Sequence, residues 1–168
     1  MTTQGGTSVI QKQHIHIRPY QDADFAHICQ IHDPARQNEL ALAGLADAFL
    51  PLSIAAPKEG LFAYHVYVAE YDGIVAGFIA FSEDEIAWLY VNTNYSRRGI
   101  GTSLLRYAMQ FTDDEVSVEV LAGNSPAIAL YSSFGFAIQE TLSGKMPGNE
   151  AFPVTVHVMK RLNGKKQN

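Results

Sequence analysis

Cysteine is nearly absent from this chain of 168 residues, with Cys29 as its single example. One thiol cannot form a disulfide within the chain, so disulfide-stapled secreted scaffolds are excluded. The N-terminal residues also lack the charged and apolar pattern of a secretory signal. These absences together predict a cytoplasmic protein.

Long apolar runs and an excess of positive charge are missing as well. No stretch approaches the ~20 apolar residues that a membrane-spanning helix needs, so no membrane partner is expected. The formal net charge is −5, whereas a nucleic-acid binder needs a basic surface to displace counterions. No nucleic-acid partner is therefore expected. The negative balance is compatible with a cationic partner such as an amine.

Strand and helix patterns alternate between two short polar ends. Residues 1–13 and 163–168 are small or polar and predict flexible tails. Residues 14–162 predict one domain, in the order strand, two helices, three strands, helix, strand, helix, two strands. This order is typical of an α/β (α+β) fold with a mixed sheet of six to seven strands and helices on its faces.

The boundaries of the first two helices depend on prolines. Helical spacing begins near Phe25 and is expected to stop at Pro34, and a second helix is predicted from Gln37 to Phe49. The segment from Pro51 to Gly60 contains two prolines and a glycine and is predicted to be a loop. Asp72-Gly73, between two runs rich in β-branched and aromatic residues, predicts a tight hairpin.

A glycine loop follows the predicted fourth strand. Leu89-Tyr90-Val91 leads into Ser96-Arg97-Arg98-Gly99-Ile100-Gly101-Thr102, and a helix follows. Glycines let the backbone approach phosphate oxygens, and the first amides of a helix attract anions. The loop matches neither a Walker A motif nor the three-glycine dinucleotide fingerprint. Taken alone, it also fits a tight turn with two solvated arginines.

A second motif makes the interpretation specific. Residues 124–136 read NSPAIALYSSFGF and follow the next predicted strand. With both motifs in this order, the chain resembles the GNAT superfamily of acetyl-CoA-dependent N-acetyltransferases. The phosphate loop of that family usually reads Arg/Gln-x-x-Gly-x-Gly/Ala, and its later segment reads Asn-x-x-Ala-x-x-Leu-Tyr-x-x-x-Gly-Phe. Two residues depart from the family pattern: Ser96 replaces Arg or Gln, and Thr93 replaces a common proline.

The resemblance implies a mostly antiparallel sheet that is splayed between strands four and five. It implies an enzyme that transfers an acetyl group from acetyl-CoA to a primary amine by direct attack in a ternary complex. The acceptor would be a small molecule or a peptide. The Val91 amide would polarise the thioester carbonyl. The residues that would contact coenzyme A are Leu89, Tyr90, Val91, Arg97, Arg98, Gly99, Ile100, Gly101, Thr102, Asn124 and Tyr131.

Two catalytic residues are predicted by carrying the family pattern over. Tyr131 would give a proton to the departing thiolate, although an aromatic that fills the gap between helix and sheet is its alternative. Glu85 lies six positions before Val91 and shares strand parity with Ala87 and Leu89, so it is the candidate base. Its alternative is an exposed turn carboxylate, and Glu119 or a water relay could take its place.

The remaining expectations concern the acceptor and competing functions. The segment from Ala41 to Glu59 occupies the acceptor side of the family, and an apolar patch there would suit a hydrophobic amine or a homodimer contact. Residues from Gly144 to Glu150 could close over the acceptor. No metal is expected, since His14 and His16 lack a nearby cysteine or carboxylate cluster. A non-catalytic acyl-CoA-binding module is an alternative, motivated by Trp88 at a position that is often acidic, and a nucleotide-binding domain is a further one.

Overall fold

The computed structural model describes residues 14–162, which form seven β-strands and four α-helices. The strands are β1 (Ile15–Pro19), β2 (His65–Tyr71), β3 (Ile74–Phe81), β4 (Glu85–Val91), β5 (Ser117–Leu121), β6 (Phe136–Met146) and β7 (Asn149–Arg161). The helices are α1 (Phe25–Leu42), α2 (Leu52–Glu59), α3 (Ile100–Ala108) and α4 (Ser125–Ser133). The two predicted tails lie outside the described residues. In the described part of the chain, no helix is long and apolar enough to cross a membrane.

The strands form one mixed sheet in the order β1-β2-β3-β4-β5-β7-β6. Neighbouring strands are antiparallel except β4 and β5, which are parallel. The predicted hairpin joins β2 to β3, with left-handed φ angles of 50° at Asp72 and 83° at Gly73. The predicted mixed, mostly antiparallel sheet is confirmed.

The sheet opens between β4 and β5. Only Glu85 and Ile86 of β4 pair with β5, opposite Ser117 and Val118. Beyond Ile86 the two strands diverge, so the backbone of β4 from Ala87 to Val91 has no β5 partner. The predicted splay is confirmed, and it creates free backbone groups at the centre of the sheet.

The prediction that a helix stops at Pro34 is wrong. Helix α1 continues through Pro34 to Leu42, and the predicted second helix is the end of α1 followed by a short 3₁₀ turn at Ala46–Ala48. A proline inside a helix costs about 3 kcal/mol in an isolated segment. Burial of Ile28, Ile31 and Leu40 against the sheet offsets this cost, since tertiary packing overrides local propensity.

The predicted loop from Pro51 to Gly60 is also wrong, because the segment contains helix α2. Pro51 is the residue before the helix, and the amide of Leu52 donates to Asp33 Oδ1 at 2.9 Å. Gly60 ends α2 with a left-handed φ of 71°, a conformation that glycine adopts without a steric cost. Pro51 and Gly60 mark the two ends of this short helix, and Pro57 lies inside it.

Helices cover both faces of the sheet. On one face α3 and α4 pack through residues such as Leu104, Leu105 and Tyr131, and on the other face α1 and α2 pack through residues such as Ile28 and Leu52. Helix α3 lies very close to β3 at Gly77. A Cβ atom at Gly77 would be 2.9 Å from Ile100 Cγ2 and 3.1 Å from the Tyr90 carbonyl oxygen. The glycine therefore fixes the start of α3 against the sheet.

Strand β4 contains one extra residue relative to β3. Ala80 pairs with Trp88 and Phe81 pairs with Ile86, so Ala87 forms a β-bulge. Ala87 and Trp88 consequently both pack towards α1 and α2, while Ile86 and Leu89 pack towards α3 and α4. The expectation that Glu85 shares a face with Leu89 is wrong, because the bulge interrupts the regular alternation.

Candidate active site

The glycine loop forms an anion-binding arrangement where β4 meets α3. Arg97 and Gly99 have left-handed φ angles of 62° and 80°, and they turn the chain into the helix. The first amide to bond within the helix is that of Ser103, which donates to the Gly99 carbonyl oxygen at 2.9 Å. The preceding amides at the start of α3 have no helical acceptor, and the helix dipole favours negative charge there.

A groove of about 560 Å³ lies beside this loop. Its lining includes six of the predicted coenzyme A contacts, which are Val91, Arg97, Gly99, Ile100, Gly101 and Thr102. A Cβ atom at Gly101 would lie 3.5 Å from Val91 Cγ2 and 3.7 Å from Leu130 Cδ2. A small residue at this position thus keeps the groove open between β4 and α4.

The two loop arginines occupy different environments. Arg97 lines the groove. The guanidinium of Arg98 instead lies over the rings of Tyr71 and Tyr95, 5.0 Å from each centroid. Such cation–π contacts hold the outer side of the loop against β2. The structure therefore brings Arg97, but not the Arg98 guanidinium, to the groove.

Asn124 and Tyr131 occupy the two ends of α4. The Asn124 side chain accepts a hydrogen bond from the Ala127 amide at 3.3 Å, so it caps the helix. Tyr131 is 5% exposed, and its ring meets that of Phe136 edge to face at 5.5 Å. Burial, followed by the nearby Glu39 carboxylate, raises the pKa of Tyr131 well above its usual value. Its phenol is therefore protonated at neutral pH.

A second cavity, of about 340 Å³, lies on the opposite face of β4. Helices α1 and α2, strands β4 and β5, and the turn between β6 and β7 contribute to its lining. The groove and this cavity adjoin across β4 and α1, since Val91 and Asn38 line the groove while Tyr90 and Glu39 line the cavity. Both candidate bases, Glu85 and Glu119, line the cavity.

Glu85 is held in place by a tyrosine. The Tyr64 hydroxyl donates to Glu85 Oε2 at 2.9 Å. Burial, followed by this hydrogen bond, raises the pKa of Tyr64 to about 12, so the phenol remains a donor. Glu119 lies on β5 directly after the last residue that pairs with β4. The two carboxylates thus flank the point where the sheet opens.

The cavity carries more negative than positive charge. Four carboxylates and two cationic side chains are among its lining residues, which are Glu39, Glu59, Glu85, Glu119, Arg36 and Lys58. Arg36 Nη1 pairs with Glu39 Oε1 at 2.8 Å. An excess of two negative charges favours a cationic ligand such as an ammonium group.

The turn between β6 and β7 contributes Met146, Pro147 and Gly148 to the cavity lining. Lys58 Nζ donates to the Gly148 carbonyl oxygen at 3.4 Å, which ties the turn to α2. Asn149 Nδ2 donates to the Ala48 carbonyl oxygen at 3.0 Å. These bonds connect the turn to the segment that the sequence assigns to the acceptor side.

Sequence reasoning missed the contribution of α1 to the cavity. His32, Arg36 and Glu39 lie at positions i, i+4 and i+7 of one helix, and all three line the cavity. That spacing could have identified them, but the expected helix break at Pro34 hid it. Within residues 14–162, no group of three or more histidine, cysteine, aspartate or glutamate side chains is arranged to hold a metal ion.

Comparisons with known proteins agree with this architecture. The profile of the "Acetyltransferase (GNAT) family" matches residues 17–136. A "GCN5-Related N-acetyltransferase: Aminotransferase, Class-II" from Rhodopseudomonas palustris superposes with a TM-score of 0.73 at 20% identity, covering 90% of this chain and 97% of that one. At this identity, the superposition supports the fold alone.

Two curated relatives match part of the sequence. An "N-alpha-acetyltransferase" of Sulfurisphaera tokodaii is 36% identical over 91 residues, which cover 42% of this chain and 54% of the relative. The "Peptidyl-lysine N-acetyltransferase YiaC" of Escherichia coli (strain K12) is 37% identical over 73 residues, covering 43% of this chain and 49% of the relative. The chain thus spans about half the length of the curated relatives it matches.

Proposed function

Because this chain belongs to the Acetyltransferase (GNAT) family, we propose that it transfers an acetyl group from acetyl-CoA to a primary amine of a peptide. The observation that carries the proposal is the pair of adjoining spaces at the splayed strand β4. One is an anion-binding groove with free helix amides, and the other is a cavity with an excess of carboxylates.

The groove residues fit coenzyme A by their chemistry. The amides at the start of α3 and the Arg97 side chain would bind the diphosphate, and the space that Gly101 leaves open would admit the pantetheine arm. The backbone of β4 at Leu89, Tyr90 and Val91, which has no partner on the β5 side, would hold that arm. Acetyl-CoA supplies a thioester whose carbonyl carbon is the electrophile.

The chain's own residues would then assist the transfer. The Val91 amide would donate to the carbonyl oxygen, where negative charge develops during attack. Glu85, supported by Glu119, would attract the ammonium group of the acceptor and accept a proton from it. Tyr131 would give a proton to the departing thiolate, for which its raised pKa keeps the phenol protonated.

A peptide acceptor is the substrate class that the relatives support best. Both curated relatives are named for acetylation of peptide amines, one at an α-amine and one at a lysine. The acidic cavity suits either amine, since both are cationic at neutral pH. A cytoplasmic location, where acetyl-CoA and reduced thiols coexist, is part of the same proposal.

An acetylation assay tests the function directly. The chain is mixed with acetyl-CoA and peptides that carry a free α-amine, a free lysine or neither, and thiol release is followed together with peptide mass. We expect amine-dependent thiol release and addition of one acetyl group. Binding of acetyl-CoA without turnover on any of these peptides would instead support the non-catalytic module.

The Tyr131→Phe variant tests the acid. Phenylalanine preserves the ring contact with Phe136 but removes the proton, so kcat should fall about tenfold or more while acetyl-CoA affinity changes little. A variant with wild-type kcat would exclude the phenol as the proton donor and support its alternative as a packing residue.

A further inference from the structure

His32 lines the cavity, and the mechanism proposed above gives it no role. It belongs to α1, is 1% exposed and lines the cavity. Its ring meets the Tyr90 ring edge to face at 4.8 Å and lies 5.9 Å from the Trp88 ring. The imidazole is therefore packed against β4 one residue before Val91, whose amide is the proposed carbonyl contact.

Asp33 fixes the orientation and the tautomer of this imidazole. His32 Nδ1 lies 2.9 Å from Asp33 Oδ1, and the same oxygen accepts the Leu52 amide at 2.9 Å. Because an ionised carboxylate only accepts hydrogen bonds, Nδ1 carries the proton and donates it. Nε2 is then left with a lone pair.

The second ring nitrogen reaches the surface of the cavity instead of a hydrogen-bond partner within residues 14–162. Among the described residues, every buried side-chain nitrogen or oxygen atom has a hydrogen-bond partner. The hydrogen bond of His32 within residues 14–162 is the one from Nδ1. The small exposed area of this residue therefore includes Nε2, and the space that it meets is the cavity.

We infer that His32, oriented by Asp33, is a catalytic base that removes a proton from the acceptor amine. The inference rests on the proposed function and reassigns one step in it: His32 accepts the proton, and Glu85 attracts the ammonium group by its charge. An aspartate that holds a histidine tautomer while the other nitrogen accepts a proton is an established arrangement in general base catalysis.

The proton balance is as follows. The acceptor ammonium gives one proton to His32 Nε2, which passes it to solvent through the cavity, and the amine gains its lone pair. That pair forms the C–N bond, the C–S bond breaks, and its electrons leave with sulfur. The sulfur takes the Tyr131 proton, and the second proton lost from nitrogen restores the phenol through water.

The electrostatic surroundings keep the imidazole neutral and ready to accept. Burial lowers the pKa of His32 below its usual value, while Asp33 opposes that shift and Arg36 adds to it. The other charged or titratable groups that line the cavity are Glu39 on α1, Lys58 and Glu59 on α2, Tyr64 before β2, Glu85 and Tyr90 on β4, and Glu119 on β5.

Two substitutions at His32 test the role. His32→Asn retains a donor for Asp33 and removes Nε2, whereas His32→Gln retains a polar group that cannot accept a proton at neutral pH. We expect kcat to fall about 100-fold in both, the lower range for loss of a general base. Acetyl-CoA affinity should stay unchanged because His32 does not line the groove. His27→Gln, an exposed histidine of the same helix, is the matched control.

The Asp33→Asn variant tests the role of His32 through the pH dependence of kcat, which would not change if His32 were only structural. Its amide oxygen still accepts from the Leu52 amide, but the charge that raises the pKa of His32 is lost. The acidic limb of the kcat profile should therefore shift to lower pH. If that limb and the kcat of the His32 variants match the wild type, His32 is not the base.

Failure of the inference and of the proposed function give different results. Without amine-dependent thiol release in the wild-type chain, the acetyltransferase proposal fails. With turnover in the wild type and in His27→Gln, an unchanged kcat in folded His32 variants overturns only the histidine's role. If thermal melting shows that neither His32 variant is folded, the pH profile of Asp33→Asn is the test. A shift of its acidic limb to lower pH supports His32 as the base, and an unchanged limb contradicts it.

Discussion

The groove and the cavity lie on opposite faces of one strand but are built in different ways. The groove is formed mainly by backbone, glycines and a helix start within residues 91–102, with α4 as its far wall. The cavity is lined by residues of α1, α2, β4, β5, β6 and β7, between His32 and Val156. A contiguous backbone site can be recognised as a motif, whereas a dispersed side-chain site depends on the whole fold.

Filling the groove should give the largest effect on acetyl-CoA binding. The absence of this effect would contradict the assignment of the groove to the cofactor. Gly101→Leu would place side-chain atoms between Val91 and Leu130, so acetyl-CoA affinity should fall on the order of 100-fold, or ~2.7 kcal/mol. Gly101→Ala is the control, because its Cβ would have ordinary contacts. Isothermal titration measures both, and equal affinity for the leucine variant would exclude this groove as the cofactor site.

Changing one cavity carboxylate should affect the acceptor and spare the cofactor. Glu85→Gln removes a charge from the cavity in which we propose that the cationic amine binds, so the acceptor KM should rise roughly tenfold, or ~1.4 kcal/mol. The affinity for acetyl-CoA should remain that of the wild type. Glu83→Gln, an exposed neighbour in the preceding turn, is the control for steady-state kinetics. An equal effect in both variants would assign Glu85 to the surface.

Substitutions of the two loop arginines test which of the two guanidinium groups contacts the cofactor. Arg97→Gln should weaken acetyl-CoA binding about fivefold, of the order expected for one partly solvated charged contact. Arg98→Gln should change the affinity less, because this guanidinium lies over Tyr71 and Tyr95. The reverse order in titration would return Arg98 to the direct phosphate contact that the sequence predicts.

The smallest effect concerns the tyrosine that holds Glu85. Tyr64→Phe removes one hydrogen bond to a carboxylate, so the acceptor KM should rise about two- to threefold and stability should fall by about 1 kcal/mol. Thermal melting and steady-state kinetics measure the two quantities. A larger change in acetyl-CoA affinity than in acceptor KM would show that the two sites are not separable in this way.

The sequence predicted the groove better than the cavity for a physical reason. Gly99 and Gly101 serve backbone conformation and close approach, which are local properties of a loop before a helix. The cavity face of α1 could not be identified once Pro34 was expected to end the helix. The side-chain roles assigned to Glu85 and Tyr131 remain predictions, and the splayed sheet around them is confirmed.

The bulge at Ala87 has a practical consequence for anyone who transfers residues between this chain and others. Two consecutive positions, 87 and 88, line the same cavity, so a carboxylate introduced at either would add negative charge there. On a regular strand every second residue lies on the same face, but across Ala87 this rule assigns residues to the wrong face of β4. Alignments used for redesign should therefore treat residues 85–86 and 88–91 as separate blocks, anchored on β5 and β3 respectively.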